Sequence, residues 1–363
     1  MPPGTAPIWP EAAIGFRTLS NAQRDEIAGA LERLNAAGTP PLSFGRDDFP
    51  LPQTAPLLAE IRNELEHGGG VVRLRGVDVR RYGEDDLRQI FWGIGCHLGT
   101  ALYQNPTGEI MGEVRDETKS AAPSFTKDAP GGVLSSRARA RSTGPLRFHT
   151  DLCDVIALLC VRNASAGGLS KIASAVTIYN EMLRRRPDLL ALLFQDYWRA
   201  RPADGDASNV RPTFPLPVFG LRDGKFTTQY SRTFVELAQQ NPAVPRITAA
   251  QDEALDLLAA VADEVCLHSA FEEGDIQLLN NHVIYHGRTA YDDDAASHQE
   301  RLLFRLWLAP LESRALPEGF EVLWGDIAPG ALRGGVIQRT PACGRRARTP
   351  LSPDPVASHV HGR

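Results

Sequence analysis

Apolar positions in the first hundred residues recur with the helical period. Ser20-Asn21-Ala22-Gln23 has the form of a capping box and opens a pattern through Ile27 and Leu31 that stops near AAGTPP, which predicts a helix. APLLAEIRNELEH predicts a second, ended by Gly68-Gly69-Gly70. VVRLRGV then has the alternation of a strand, and GEDDLRQIFWGIGCHLG returns to the helical period.

From Gly144 onward the pattern shortens. LRFHTD, VIALLCVRN and LSKIASA predict strands, TIYNEMLRRR a helix, and turn residues such as Asn163 and Gly167-Gly168 suit an antiparallel sheet system. Residues 202–224, rich in proline and glycine, read as a loop. Thr248-Ala249-Ala250-Gln251 is a second capping box, opening an amphipathic helix through Leu257, Leu258, Val261 and Val265. Strands resume with DIQLLNN, VIYHGR and RLLFRLWL. No internal repeat is present, which argues against solenoids and propellers. GRRARTPLSPDPVASHVHGR at the C-terminus has no hydrophobic period and predicts a mobile tail over 336–363, after a single domain over 1–335 with a helical N-terminal portion.

Composition narrows the partners. The chain of 363 residues has 39 Lys and Arg against 44 Asp and Glu, a net charge of -5, so no electrostatic footprint for nucleic acid or a membrane surface is expected. A small-molecule substrate is the expected partner. Five cysteines (Cys96, Cys153, Cys160, Cys266, Cys343) without CxxC spacing suit reduced core thiols. With no signal-peptide pattern and no run of about 18 apolar residues, a cytoplasmic enzyme is expected.

The candidate chemistry lies in the strands. RFHTDLCDV places His149 and Asp151 two apart, so on a continuous strand both side chains would share one face. A histidine from LLNNHVIYHGRTAY would complete two histidines and a carboxylate, the facial triad that leaves iron(II) positions open. His282 and His286, four apart, are both eligible by spacing; the asparagines before His282 suggest a turn, and Gly287 lets backbone approach near His286. In RLLFRLWL, Arg301 and Arg305 share a face opposite Leu302, Phe304, Leu306 and Leu308. Buried arginines need anionic partners, either acidic residues of the chain or substrate carboxylates gripped by the guanidinium fork.

FHTD, GGLS, HGRTAY and RLLFRLWL, in this order, resemble the iron(II)/2-oxoglutarate dioxygenases of the taurine dioxygenase and clavaminate synthase-like superfamily, over roughly Gly70 to Gly335. The resemblance implies a mainly β fold with flanking helices, a double-stranded β-helix of the jelly-roll, cupin-like kind. It implies His149, Asp151 and His286 as iron ligands, with 2-oxoglutarate and O2 as co-substrates. Arg301 matches the arginine that holds the far carboxylate of 2-oxoglutarate, and Ser170 stands where many relatives have a threonine on that carboxylate. Arg305 matches a position facing the primary substrate in some relatives, and Gln104 and Asn105 fall where relatives build part of the substrate pocket. Related halogenases replace the carboxylate ligand with a small residue, so Asp151 favours hydroxylation, desaturation or cyclisation. The expected activity is oxidation of a small metabolite, anionic or carrier-bound, in specialised metabolism, releasing succinate and CO2. The alternatives are a zinc-dependent hydrolase on the same ligands and a non-catalytic jelly-roll binding protein.

Three further patterns bear on the site. RARAR at 137–141 reads either as solvated surface or as a lid over an anionic substrate. AGGLSK lacks the spacing of a phosphate loop, and no G-x-S-x-G elbow appears. His67, His97, His268 and His298 read as capping, core or surface residues, and His359 and His361 in the tail have no fixed geometry.

Overall fold

The predicted helices form where their caps place them. In a computed structural model, which describes residues 14–105, 107–118, 120, 136–201, 212–293 and 300–336, they span Asn21–Ala36, Ala55–His67, Glu84–Leu98 and Ala249–Val265. The boxes at Ser20 and Thr248 are closed in both directions, side chain to backbone and back, satisfying two orphan donors at each helix start.

The strands make two facing antiparallel-dominated sheets. The larger contains Gly15–Thr18, Val71–Arg75, Ile276–Asn280, Val155–Arg162, Leu302–Ala309 and Thr100–Ala101 in that spatial order, with Met111–Val114 also on the 302–309 strand. The smaller contains Leu267–Ser269, Ser170–Ser174, Ile284–Arg288 and Leu146–His149. Sheet neighbours are distant in sequence, as in a double-stranded β-helix.

Alternation sorts the side chains into layers. Val72, Leu74, Ile276, Leu278, Phe304, Leu306 and Leu308 pack outward against the three N-terminal helices. Phe148, Ala173 and Tyr285 pack outward from the smaller sheet against the 175–185, 187–192 and 249–265 helices. The inner faces meet through Val71, Ile156, Ile172, Leu279, Ile284 and Trp307. The apolar face of RLLFRLWL therefore meets helices, and its arginine face looks into the sandwich.

The 202–224 loop is a partial misreading. Residues 202–211 lie outside the described residues, but Thr213–Leu216 pairs with Tyr197–Ala200, and Phe219–Arg222 pairs with Lys225–Thr228. Pro215 and the glycines obscured two short hairpins, in which each proline needs only to avoid a ladder donor position. Val336, placed in the expected tail, donates its N–H to Tyr103 O at 2.8 Å; the rest of that segment, 337–363, with Cys343, His359 and His361, lies outside the described residues, as does His298. Among the described residues no helix is long and apolar enough to cross a membrane.

Candidate metal centre

His149 ends one strand of the smaller sheet and His286 lies on its neighbour, the two residues being direct partners across the ladder. Their rings face inward with centroids 4.3 Å apart. The pairing needs a close backbone approach, because a Cβ on Gly287 would stand 2.7 Å from Leu146 O. Gly287 thus serves the strand contact that holds the two histidines together.

Asp151 arrives by another route than expected. The strand ends at His149, so strand alternation does not place the carboxylate. Thr150 N–H donates to Tyr230 O at 2.9 Å, and Asp151 N–H to Asn281 Oδ1 at 3.1 Å. This turn brings Asp151 Oδ1 to 3.7 Å from His149 Nε2 and Oδ2 to 3.6 Å from His286 Nε2. Trp307 Nε1 donates to Oδ2 at 3.2 Å. One donor atom from each of the three residues lies within 4.8 Å of the others.

His282 is elsewhere. It sits in the turn after Asn280-Asn281, fully buried, with Nε2 2.6 Å from Asp154 Oδ1. The turn expected from the asparagines is present, and its histidine serves an internal ion pair.

The electrostatics suit a cation. His149 Nδ1–H donates to Arg147 O at 2.9 Å, which leaves Nε2 with its lone pair toward the centre. Burial, and then the neighbouring His286, push the His149 pKa down to about 4. Burial opposes ionisation of Asp151, yet the adjoining His286 ring and the charge of Arg305 hold its pKa well below the ordinary range. Two neutral-capable imidazoles and a permanent carboxylate, with no other ligand-type side chain among the described residues in the cluster, fit an open-sided divalent site.

A small, partly open cavity lies beside the triad. His149 and His286 line it together with Ser170, Gln277, Arg301 and Arg305, and Arg288 completes three arginines with no acidic residue in the lining. Arg301 is 2% exposed; Nη2 donates to Gly168 O at 3.3 Å, and Nε and Nη1 have no hydrogen-bond partner among the described residues. Gly168 (φ +66°) makes room for it, since a Cβ there would lie 3.0 Å from Arg301 Nε. Ser170, also buried, is within 3.0 Å of Gln277 Nε2.

The other expected residues divide. Arg305 Nε donates to Gln104 Oε1 at 2.6 Å, and its Nη groups carry no hydrogen bond to the described residues. Gln104 lies outside the cavity lining, its amide also donating to Ile110 O and Arg305 O. Asn105 is likewise occupied by Glu109 and Thr107. Both amides therefore tie their own loop, and Gln104 also holds Arg305 through its backbone carbonyl and its Nε. In the RARAR run, Arg141 is buried against Glu109 and Glu117, so at that position the solvated-surface reading does not hold. Arg288, which sequence reasoning passed over, donates to the carbonyls of Ser142 and Gly144 at 2.6 Å each and pins this segment over the cavity. Its signal was its position two residues past His286, on the same strand face.

Comparison with known proteins agrees with this geometry. The model of the family described as taurine catabolism dioxygenase TauD, TfdA family, matches residues 35–307. The chain is 32% identical over 323 residues to the FR-33289 synthase of Streptomyces rubellomurinus, covering 85% of this chain and 89% of that protein. It is 30% identical over 293 residues to the taurine hydroxylase-like protein SAT17 of Stachybotrys chartarum, covering 79% and 73%. Asparagine oxygenase in complex with Fe(II), hydroxyasparagine and succinate shares the fold with a TM-score of 0.60 at 17% identity, over 81% of this chain and 93% of that one. The non-heme iron oxygenase OrfP in complex with Fe and alpha-ketoglutaric acid does so at 0.60 and 16%, with the same coverage. With the family model spanning most of its length, the chain belongs to the TauD/TfdA family and is an iron(II)- and 2-oxoglutarate-dependent oxygenase.

Proposed function

We propose that His149, Asp151 and His286 hold the iron, that Arg301 and Ser170 hold the far carboxylate of 2-oxoglutarate, and that Arg305 receives an anionic group of a small primary substrate. The observation that carries this reading is Arg301, a buried guanidinium with two unpartnered nitrogens in the cavity shared with both histidines. An uncompensated buried charge costs several kcal/mol, and a bidentate carboxylate removes that cost. A zinc hydrolase or a binding protein would have no use for this group.

When bound, iron and 2-oxoglutarate supply the oxidation: O2 is consumed, 2-oxoglutarate leaves as succinate and CO2, and a substrate carbon is oxidised. The chain's own residues orient and enclose. Trp307 donates to the Asp151 carboxylate, and the Asn281 side chain fixes the Asp151 backbone by accepting from its N–H. The 104–117 and 138–146 segments, tied by Arg141 and Arg288, wall the cavity from water. Three arginines in a cavity lining that has no acidic residue favour a substrate that is itself anionic. A carboxylate at Asp151 supports hydroxylation, desaturation or cyclisation of that substrate over halogenation. The described strands and helices join in one two-sheet assembly, which supports a single catalytic domain over 1–335. The unpaired state of Cys96, Cys153, Cys160 and Cys266 supports a cytoplasmic setting.

The test is anaerobic addition of iron(II) and then 2-oxoglutarate, followed by absorption. A visible charge-transfer band that needs both is expected, and small anionic compounds should then accelerate succinate formation in air. Full activity with zinc and indifference to 2-oxoglutarate would overturn the reading.

A further inference from the structure

Two rows of inward-facing polar residues oppose each other across the sandwich. On the larger sheet, Arg73, Gln277, Leu158 and Arg305 are successive ladder partners at one level. On the smaller sheet, Ser269, Ser170, Arg288 and Leu146 form the facing row, two residues along from the row of His286 and His149. The rows are stitched together by hydrogen bonds. Arg73 Nη1 donates to Ser269 Oγ at 3.0 Å and to Ala270 O at 2.6 Å, Arg73 Nη2 donates to Gln277 Oε1 at 2.6 Å, and Gln277 Nε2 donates to Ser170 Oγ at 3.0 Å. Arg73 is 1% exposed and Gln277 1%. The Arg73 guanidinium also lies over the Phe271 ring at 4.6 Å and 3.7 Å from Asp275.

We infer that Arg73 and Gln277 are positioning residues that turn Ser170 into a hydrogen-bond donor toward the co-substrate. Arginine carries donors only, so the Gln277 amide must present its oxygen to Arg73. Its NH2 is thereby left facing Ser170. A flipped amide would set N–H against N–H inside a dry core, at the cost of an unsatisfied buried donor. Ser170 Oγ accepts from Gln277 Nε2 at 3.0 Å; its hydroxyl also reaches Gln277 Oε1, but at a longer 3.3 Å and toward an oxygen already engaged by Arg73 at 2.6 Å, so a carboxylate oxygen in the cavity is the stronger claimant for its single proton. Ser170 lines the cavity with Arg301, which is tied to Gly168, two residues before Ser170. The relay thus aims a neutral donor and a cationic fork into one space, a match for the two oxygens of a carboxylate. It also accounts for a buried arginine and glutamine on strands that otherwise read as continuous apolar runs.

This inference rests on the reading that Ser170 and Arg301 hold the far carboxylate of 2-oxoglutarate, and the experiment separates the two. Ser170→Ala, Gln277→Met, the double variant and Arg301→Ala are loaded anaerobically with iron(II) and titrated calorimetrically with 2-oxoglutarate. Ser170→Ala is expected to weaken binding about tenfold, as for a hydrogen bond to a charged group, and Gln277→Met about threefold. The double variant should bind no more weakly than Ser170→Ala, because Gln277 acts only through that hydroxyl. Gln277→Glu supplies a carboxylate that pairs with Arg73 and takes the Ser170 proton. Its melting temperature should hold while 2-oxoglutarate binding falls at least as far as in Ser170→Ala; a merely structural role predicts the opposite order. If Arg301→Ala leaves affinity unchanged, the carboxylate assignment fails and the relay with it. If Arg301→Ala weakens binding but Gln277→Met is silent, or adds fully to Ser170→Ala, the relay alone is overturned.

Discussion

His149 and His286 are paired across a ladder but held differently. His149 is locked by the Arg147 carbonyl, whereas His286 Nδ1 is buried without a partner. Replacing His149, Asp151 or His286 with alanine should each abolish tight iron binding, measured by metal content after dialysis. His282→Ala should keep the three donors and so retain iron, but lose roughly 1 to 3 kcal/mol of stability by removing a bond from buried Asp154. Acid should act on the metal-free protein through the same rings. Burial lowers the pKa of His97 and His282, and that of His149 to about 4, from the ordinary value of 6.5. The unfolded chain then binds more protons than the native one below 6.5. Stability present above that value should fall as pH drops toward 4, and thermal melts across this window will read the slope. Residue type and order pointed to His149, Asp151 and a second histidine; strand spacing left His282 and His286 both eligible, and the family resemblance, not the period, chose His286. In the fold His286 stands on the ladder beside His149, while His282 occupies a turn against Asp154.

The 302–309 strand shows what alternation can and cannot carry. Its apolar face and its arginine face were readable directly, and each packs as the pattern requires. Arg301 and Arg305 are four residues apart, about 13 Å along an extended chain, too far to grip one five-carbon diacid unless they converge. Arg301→Ala should therefore mainly weaken 2-oxoglutarate binding, by about 1.5 to 3 kcal/mol. Arg305→Ala should leave that affinity nearly unchanged and lower the ratio of product to succinate. Titration of 2-oxoglutarate and the product-to-succinate ratio check both, and equal loss of affinity in the two variants would refute the division. The turn that carries Asp151 was hidden from the sequence, since its geometry is set by Tyr230 and Asn281, far along the chain. The polar row through Arg73 and Gln277 was hidden for a related reason: each looks like a lone polar residue in an apolar strand until the facing sheet supplies its partner.

At the scale of the whole molecule, described residues beyond the family match at 307 close over the turn that carries Asp151. Arg333, 2% exposed, donates to Asp154 Oδ1 from Nε at 2.9 Å and from Nη2 at 2.7 Å. Gly335 N–H donates to Leu152 O at 2.8 Å, and Val336 N–H reaches Tyr103 O. Leu152 and Asp154 follow Asp151 directly in the chain, so the 333–336 segment holds the far side of the turn that carries Asp151. Arg333→Met should cost roughly 3 to 5 kcal/mol, the penalty for breaking a buried pair, and should also loosen iron. Melting curves of the metal-free protein and an iron titration separate these effects. Lost stability with unchanged iron affinity would assign Arg333 to the fold alone. The general architecture was legible because the helical and strand periods are strong; this clasp was not, because ALRGGV reads as loop and only its contacts give it a purpose. The long sequence distance between His149 and its ladder partner has a consequence for biosynthesis. A growing chain carries His149 and Asp151 for more than a hundred residues of translation before His286 exists, and the clasp follows later still. A nascent chain that has not yet reached His286 therefore lacks one of the three proposed iron ligands, and the oxidative chemistry proposed for the site is withheld until synthesis has passed that residue.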